Sequence, residues 1–296
     1  MARSRLIATL VGVFAILTWA TGGPIYTYIS AVPPLQLIAM TFIQFILVMV
    51  VIWRWRGVAI RKKFAMPTKV WLTGILGPWG YTVCFFVSYD LIPPIHAALL
   101  LFSWPIMLLV GNAVLRGRSI RWWHAIGAAA GFAGATILVI GRSEGGLGES
   151  GPFYGYIIAL AGAFAFAAYS LGRSTWEDIP TDAAALFCFG GAGLSAILHL
   201  LFETTVMPDG TAWIAILVLG LFNTATALFA WDFSVKHGHV RVLVSLSYMI
   251  PLFTVFILIA IGQGTFTTAV ATACALIVGG AFIGSRDLFM KETGES

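Results

Sequence analysis

AALLLFSWPIMLLVGNAVLRGRSIRWWHAIGAAAGFAGATILV, residues 97–139, contains two long apolar runs separated by a short loop with three arginines. A membrane-spanning α-helix needs roughly 20 predominantly apolar residues. The stretch therefore predicts two membrane helices joined by a basic loop. The first of them carries Ser103, Trp104 and Pro105 near its centre, where a hydroxyl, an indole N–H and a residue without a backbone N–H are least expected.

The whole chain repeats this apolar pattern. Of its 296 residues, 59% are hydrophobic and 10% are charged, against about 25% charged residues in an average soluble domain. The mean hydropathy is +0.94. The runs are continuous and lack the alternation of a membrane β-barrel, so the sequence predicts an all-α membrane protein with ten transmembrane helices. The predicted spans are residues 6–27, 34–53, 70–89, 93–115, 121–141, 153–172, 183–202, 211–231, 240–262 and 266–285.

The distribution of Lys and Arg predicts the orientation of these spans. Cytoplasmic loops of membrane proteins collect positive charge. With the N-terminus inside, ten spans place every one of the 17 Lys and Arg residues except Arg142 on the cytoplasmic side. Both termini are therefore expected in the cytoplasm, and we expect a multi-pass membrane protein. The net charge of +5 reflects this topology and does not indicate nucleic-acid binding.

The two halves of the chain resemble each other, and the offset between matching residues drifts with loop length. The matches are Trp19 with Tyr169, VSYD at 87–90 with FAWD at 229–232, and Pro105 with Pro251. They predict two five-helix repeats, residues 1–144 and 145–296. Because five is odd, the second repeat enters the membrane from the opposite side, which is the usual design for alternating access around a midplane site.

Polar and aromatic residues near mid-membrane are the candidate substrate site. Eight of the eleven tryptophans, Trp231 among them, lie near predicted span ends and suit an interfacial belt. Indole groups at mid-membrane instead need a partner. They either line a cavity or pack between helices. The candidate substrate-binding residues are Trp19, Trp79, Tyr81, Ser103, Trp104, Tyr169, Asn223, Ser247 and Tyr248.

Two prolines at equivalent places are candidate hinges. Pro105 cannot donate to the carbonyl of Leu101, and Pro251 cannot donate to the carbonyl of Ser247. The two residues either mark tolerated kinks or act as hinges between the halves.

Asp90 and Asp232 lie near the ends of the third and eighth spans, one outside and one inside, and are candidate gate charges. For Asp232 the expected partner is Lys236 or Arg241. The alternative is that both carboxylates are simply solvated helix ends.

No charged residue is expected deep in any span. A midplane of aromatic faces, hydroxyls, an amide and free carbonyls suits a neutral or zwitterionic molecule with a flat apolar part. The five histidines are scattered over both sides, unlike the grouped residues of a membrane enzyme. We therefore expect no enzyme activity, no metal and no cofactor, and we expect the lipid bilayer and a small-molecule substrate as partners.

These features together resemble the EamA family of the drug/metabolite transporter superfamily. The resemblance rests on the ten spans, the five-plus-five repeat, ILTWATGGPIY at 16–26 and the stretch quoted above. It implies an exporter of small metabolites in a bacterial inner membrane, with aromatic and other neutral amino acids expected from the aromatic content. A monomer and a homodimer are both compatible with the small-residue runs in the helices. A broad-specificity drug or metabolite efflux carrier of the same fold is the alternative.

Overall fold

The computed structural model describes residues 2–26, 28–29, 31–92, 94–115, 121–141, 151–262 and 266–284. Within these ranges the regular structure is entirely helical, without strands. The predicted boundary between the repeats, at residues 144 and 145, lies outside the described residues, as do Arg142 and everything after residue 284.

Helices occupy all ten predicted segments. In the first half they are α1 (Ala2–Ala20), α2 (Gly22–Tyr26), α3 (Pro34–Trp55), α4 (Ile60–Lys63), α5 (Thr68–Leu76), α6 (Pro78–Leu91), α7 (Pro94–Leu101), α8 (Trp104–Leu115) and α9 (Trp122–Gly141). In the second half they are α10 (Phe153–Thr175), α11 (Ala183–Phe202), α12 (Gly210–Val218), a π-helix (Leu219–Thr226), α13 (Ala227–His237), α14 (Val240–Ser247), α15 (Met249–Ala260) and α16 (Thr268–Gly284).

Length and hydropathy mark the segments that can cross a membrane. Among the described residues, eight helical segments are long and apolar enough to do so, and Thr268–Ile283 is a shorter apolar helix. The protein is therefore a multi-pass membrane protein. The count of ten crossings and the side of each terminus remain predictions.

Four of the described segments are interrupted one to three residues before a proline. In the first of them the helical path stops at Thr21 ahead of Pro24. In the other three it stops at Gly77 ahead of Pro78, at residues 102–103 ahead of Pro105, and at Tyr248 ahead of Pro251. Proline has no N–H for the preceding turn, and its ring crowds the carbonyl four residues back. The helices are therefore interrupted ahead of Pro105 and Pro251, and a hinge role for the two prolines stays a prediction.

The helices pack in a pattern that repeats when the two halves are exchanged. Helix α1 packs against α13, α14 and α15, while its counterpart α10 packs against α6, α7 and α8. The remaining long helices pair across the halves, α3 with α11 and α9 with α16. Each half thus contributes its first helix to the bundle of the other half, and the interior forms between them.

Two tryptophans predicted for the interfacial belt lie inside the protein instead. Trp53 is 1% exposed and Trp231 is fully buried. The Nε1 of Trp53 donates to Oδ2 of Asp182 at 2.6 Å, and the Nε1 of Trp231 donates to Oγ of Ser170 at 3.0 Å. Both assignments to the belt are wrong, because these indoles find hydrogen-bond partners inside the helical bundle. Trp55 and Trp122 remain exposed, as an interfacial belt requires.

Candidate functional site

Four aromatic side chains from both halves form a cluster in the interior. The Trp104 ring lies edge-on to Phe166 and to Trp231, with centroid distances of 5.0 and 5.3 Å. Trp19 contacts the same two rings at 5.8 and 5.4 Å. We call Trp19, Trp104, Phe166 and Trp231 the central cluster. Its members come from α1, α8, α10 and α13, so it joins the two halves.

Two tyrosines extend the central cluster along Phe166. The ring centroids of Tyr81 and Tyr169 lie 5.3 and 6.0 Å from that of Phe166. Offset and edge-to-face arrangements are the favourable ones for aromatic pairs, each contributing about 0.5–1.5 kcal/mol beyond simple burial. The cluster is tightly closed, since Trp104 is 3% exposed and Phe166 is 7% exposed.

The helix break before Pro105 positions the central tryptophan. Trp104 is the first residue of α8, near the middle of the membrane-spanning segment His96–Leu115. Ser103, in the break, donates its hydroxyl to the carbonyl of Leu100 at 2.5 Å. The three unusual residues of the quoted stretch thus have distinct tasks: the proline interrupts the helix, the serine satisfies a carbonyl in the break, and the tryptophan enters the cluster.

The amide of Asn223 joins the π-helix to the first helix. The Nε1 of Trp19 donates to the Asn223 carbonyl at 3.1 Å, and Nδ2 of Asn223 donates to the Thr18 carbonyl at 2.8 Å. This reciprocal pair fixes the Trp19 ring against the central cluster. The predicted residues Trp19, Tyr81, Ser103, Trp104, Tyr169 and Asn223 thus lie in the cluster or next to it.

The other three predicted substrate-binding residues lie elsewhere. The Nε1 of Trp79 donates to Oγ of Ser195 at 2.8 Å and ties α6 to α11. The fully buried Tyr248 packs against Phe132 of α9, with a centroid distance of 6.2 Å. Ser247 donates to the Leu243 carbonyl. Trp79 and Tyr248 make helix-packing contacts, which for the indole of Trp79 is one of the two alternatives that the sequence left open, whereas Ser247 bonds within its own helix.

A buried ion pair lies at one end of the central cluster. Arg173 and Asp232 are both fully buried, with Nε donating to Oδ1 at 2.6 Å and Nη2 donating to Oδ2 at 2.5 Å. The hydroxyl of Tyr169 donates to Oδ1 at 2.8 Å. Both charges lie within the last two turns of α10 and α13, where the sequence placed a loop residue and a helix end, and the structure buries them. Each of these groups is tolerated in the interior because the other neutralises it and the geometry is bidentate.

The predicted gate charges are in different surroundings. Asp90 is exposed at the end of α6. For Asp232, Arg173 takes the role that was predicted for Lys236 or Arg241. The Nζ of Lys236 instead donates to the carbonyls of Glu177 and Ile179. The prediction failed because Arg173 follows the predicted sixth span and was placed in a loop.

Sequence reasoning missed Phe166, Trp231 and Arg173. One signal was available for two of them: Phe166, Tyr169 and Arg173 are three and then four residues apart, the spacing of one helix face. Among the described residues, no three His, Cys, Asp or Glu side chains converge as ligands for a metal ion.

Interrupted apolar helices, packing that repeats on exchange of the halves, and an aromatic site between them define a membrane transport protein built from a duplicated unit. The EamA-like transporter family model matches the chain twice, at residues 6–140 and 153–286. The chain belongs to the EamA-like transporter family.

Comparison with individual relatives agrees over nearly the full length. The chain is 38% identical over 281 residues to the protein named aromatic amino acid exporter YddG from Ancylobacter novellus, covering 95% of this chain and 97% of that protein. A solved crystal structure superposes with a TM-score of 0.90 at 37% identity, covering 98% of this chain and 100% of the other.

Proposed function

We propose that this protein exports aromatic and other neutral amino acids across a bacterial inner membrane. The observation that carries the proposal is the central cluster, which lies near mid-span and is built from helices of both halves. The similarity to a protein named as an aromatic amino acid exporter supports the substrate class.

The central cluster suits an aromatic substrate for a physical reason. Its rings already contact one another edge to face, so a substrate ring that enters replaces one aromatic contact with a similar one. The substrate ammonium gains about 0.5–2 kcal/mol against an indole face, depending on its desolvation. A negatively charged substrate side chain has no such compensation, because the faces of these rings are themselves electron-rich.

Movement between the two halves is proposed to expose the site alternately to each side. Breaks precede Pro105 in the first half and Pro251 in the second, at positions that correspond in the repeat. The two halves are proposed to be inverted, residues 1–144 against 145–296, with ten crossings and both termini in the cytoplasm. Bending at the two breaks would then close one side while the other opens.

Transport measurements with tryptophan variants test the assignment. In proteoliposomes we expect Trp104→Ala to reduce L-tryptophan uptake at least tenfold, because it removes two edge-to-face contacts from the cluster. Trp122→Ala is the matched control, since Trp122 is 59% exposed and belongs to the predicted interfacial belt. Equal rates for the two variants and wild type would overturn the site assignment.

A competition panel separates the proposal from broad drug efflux. We expect phenylalanine, tyrosine and leucine to compete with labelled tryptophan, and hydrophobic cations without a carboxylate to compete weakly. The reverse order of competition would favour the efflux carrier.

A further inference from the structure

Two polar atoms of opposite charge lie without partners near the buried ion pair. Among the described residues, neither Nη1 of Arg173 nor Oδ1 of Asp182 has a hydrogen-bond partner, and both atoms are buried. The Arg173 side chain is fully buried. Leaving a charged donor or acceptor buried and unsatisfied incurs its full desolvation penalty, and such groups in native structures usually have an unmodelled water, ion or ligand.

The remaining contacts of Arg173 fix the orientation of its free amino group. Its Nε and Nη2 are committed to the two oxygens of Asp232, and Nη2 also donates to the Pro180 carbonyl at 3.0 Å. The guanidinium is planar. With one edge held by Asp232, Nη1 is directed elsewhere and cannot turn to share these acceptors.

Asp182 is held in the same way from the other side. Its Oδ2 accepts from Nε1 of Trp53 and from Nζ of Lys63, each at 2.6 Å. Asp182 precedes α11 and makes no side-chain capping bond to that helix. The Arg173 guanidinium donates to the Pro180 carbonyl, two residues before Asp182 in the chain. The two unpartnered atoms therefore belong to one neighbourhood.

We propose that Nη1 of Arg173 and Oδ1 of Asp182 form a binding site for the zwitterionic head group of an amino acid. The guanidinium donates to the substrate carboxylate, and the aspartate accepts from its ammonium. This inference rests on the proposed function and extends it from the ring to the head group. A ligand with both charges satisfies both atoms at once, whereas a molecule with one charge leaves the other unpaired.

The location of the site agrees with export. Phe166 and Arg173 share one face of α10 and lie about 10 Å apart along its axis, so a ligand held by its head group at Arg173 can direct its ring towards the central cluster. At the place that corresponds to Arg173 the first half has Gly23, which offers no side-chain donor for a carboxylate. The site therefore exists at one end only, the end predicted to face the cytoplasm.

The test compares three ligands that differ only in the head group. L-tryptophan has both charges, tryptamine lacks the carboxylate, and indole-3-propionate lacks the ammonium. Affinities are measured by competition against labelled tryptophan on the purified full chain in lipid nanodiscs. For wild type we expect tryptophan to bind at least tenfold more tightly than either analogue.

The key variant is Asp182→Asn, with Lys63→Met as its matched control. Lys63 contacts the other oxygen of the same carboxylate, so a purely structural role would make the two variants alike. We expect Asp182→Asn to lose most of the preference for tryptophan over indole-3-propionate while keeping the preference over tryptamine. Lys63→Met should keep both preferences.

A second variant addresses the guanidinium. Arg173→Lys keeps the charge beside Asp232 but loses the free amino group, and we expect it to lose the preference over tryptamine. Monodisperse elution on size-exclusion chromatography confirms that each variant is folded. Wild-type ligand ratios in both Asp182→Asn and Arg173→Lys would mean that the two atoms hold only water and would overturn the inference. Failure of the wild-type protein to bind or transport tryptophan would instead refute the proposed function.

Discussion

Arg173 and Asp232 lie inside helices, although the sequence predicts that a helix ends at each of these two charged residues. The sixth span was predicted to end at residue 172 and the eighth at residue 231, each one residue before a charged residue. The helices continue to Thr175 and His237. In the sequence, each charged residue taken alone indicates the end of a helix. In the structure the two residues pair, so that each neutralises the other inside the protein.

Removing one member of the pair tests this explanation. We expect Asp232→Ala to lower the free energy of unfolding by about 3–5 kcal/mol, because it leaves the Arg173 guanidinium buried without its counter-ion. The double variant Arg173→Met/Asp232→Leu should recover most of this loss. Thermal and denaturant unfolding in detergent micelles measures the effect.

The control for the pair is Asp90→Ala. Asp90 corresponds to Asp232 in the repeat but is exposed, so its removal should change stability by no more than about 0.5 kcal/mol. Comparable losses at Asp90 and Asp232 would contradict the assignment of the effect to burial.

Two members of the central cluster were missed in the sequence for different reasons. Trp231 was missed because the eighth span was predicted to end at this residue, which assigned its side chain to the membrane interface. Phe166 is one of 22 phenylalanines, and only its spacing with Tyr169 and Arg173 on one helix face distinguishes it from a ring facing lipid. By contrast, Trp19 and Trp104 could be predicted, because an indole N–H at mid-membrane needs a partner.

At the scale of helices, the break between α5 and α6 is required by close packing as well as by Pro78. A Cβ atom added to Gly77 would lie 2.2 Å from Cβ of Tyr169, so only glycine permits this approach of α10. Tyr169 in turn holds Asp232 through its hydroxyl. The glycine at the break thus supports the ion pair.

A pair of glycine variants tests this packing. We expect Gly77→Ala to destabilise the protein by about 1–3 kcal/mol, as overpacking of a well-filled interior does. Gly80→Ala is the control, because its added Cβ meets the Cβ of Ala165 at 3.8 Å, an ordinary contact. Melting temperatures in the same detergent provide the comparison. Equal melting temperatures for the two variants would show that α10 can move away at little cost.

The helical segments themselves could be largely predicted, because each is a long apolar run. The breaks at Pro105 and Pro251 could also be predicted, since proline lacks the N–H that the helix needs. The π-helix could not. It lies at Leu219–Thr226, where the repeat places the counterpart of the Gly77 break, but the second half has no proline there to mark the interruption.

At the scale of the whole molecule, the exchange of first helices between the halves organises the site. Helix α1 packs into the second half and α10 into the first, so the central cluster cannot form within one half alone. The sequence predicted a site between the halves from the repeat. Which aromatic residues meet there depends on the rotation of each helix, and periodicity in a helix apolar on nearly all sides does not determine that rotation.

The proposed transport requires that the site near Trp104 be reached from both sides of the membrane and be occupied by aromatic amino acids. Ser103 adjoins Trp104 in the helix break and is partly exposed. A single cysteine at this position, Ser103→Cys, can report access in a background in which Cys84, Cys188 and Cys274 are replaced by alanine.

The measurement is the labelling of Ser103→Cys by a membrane-impermeant maleimide in right-side-out and inside-out vesicles. We predict labelling in both preparations and protection by L-tryptophan but not by L-lysine in each. Labelling from one side only, or labelling that tryptophan does not slow, would contradict alternating access to an aromatic amino acid site.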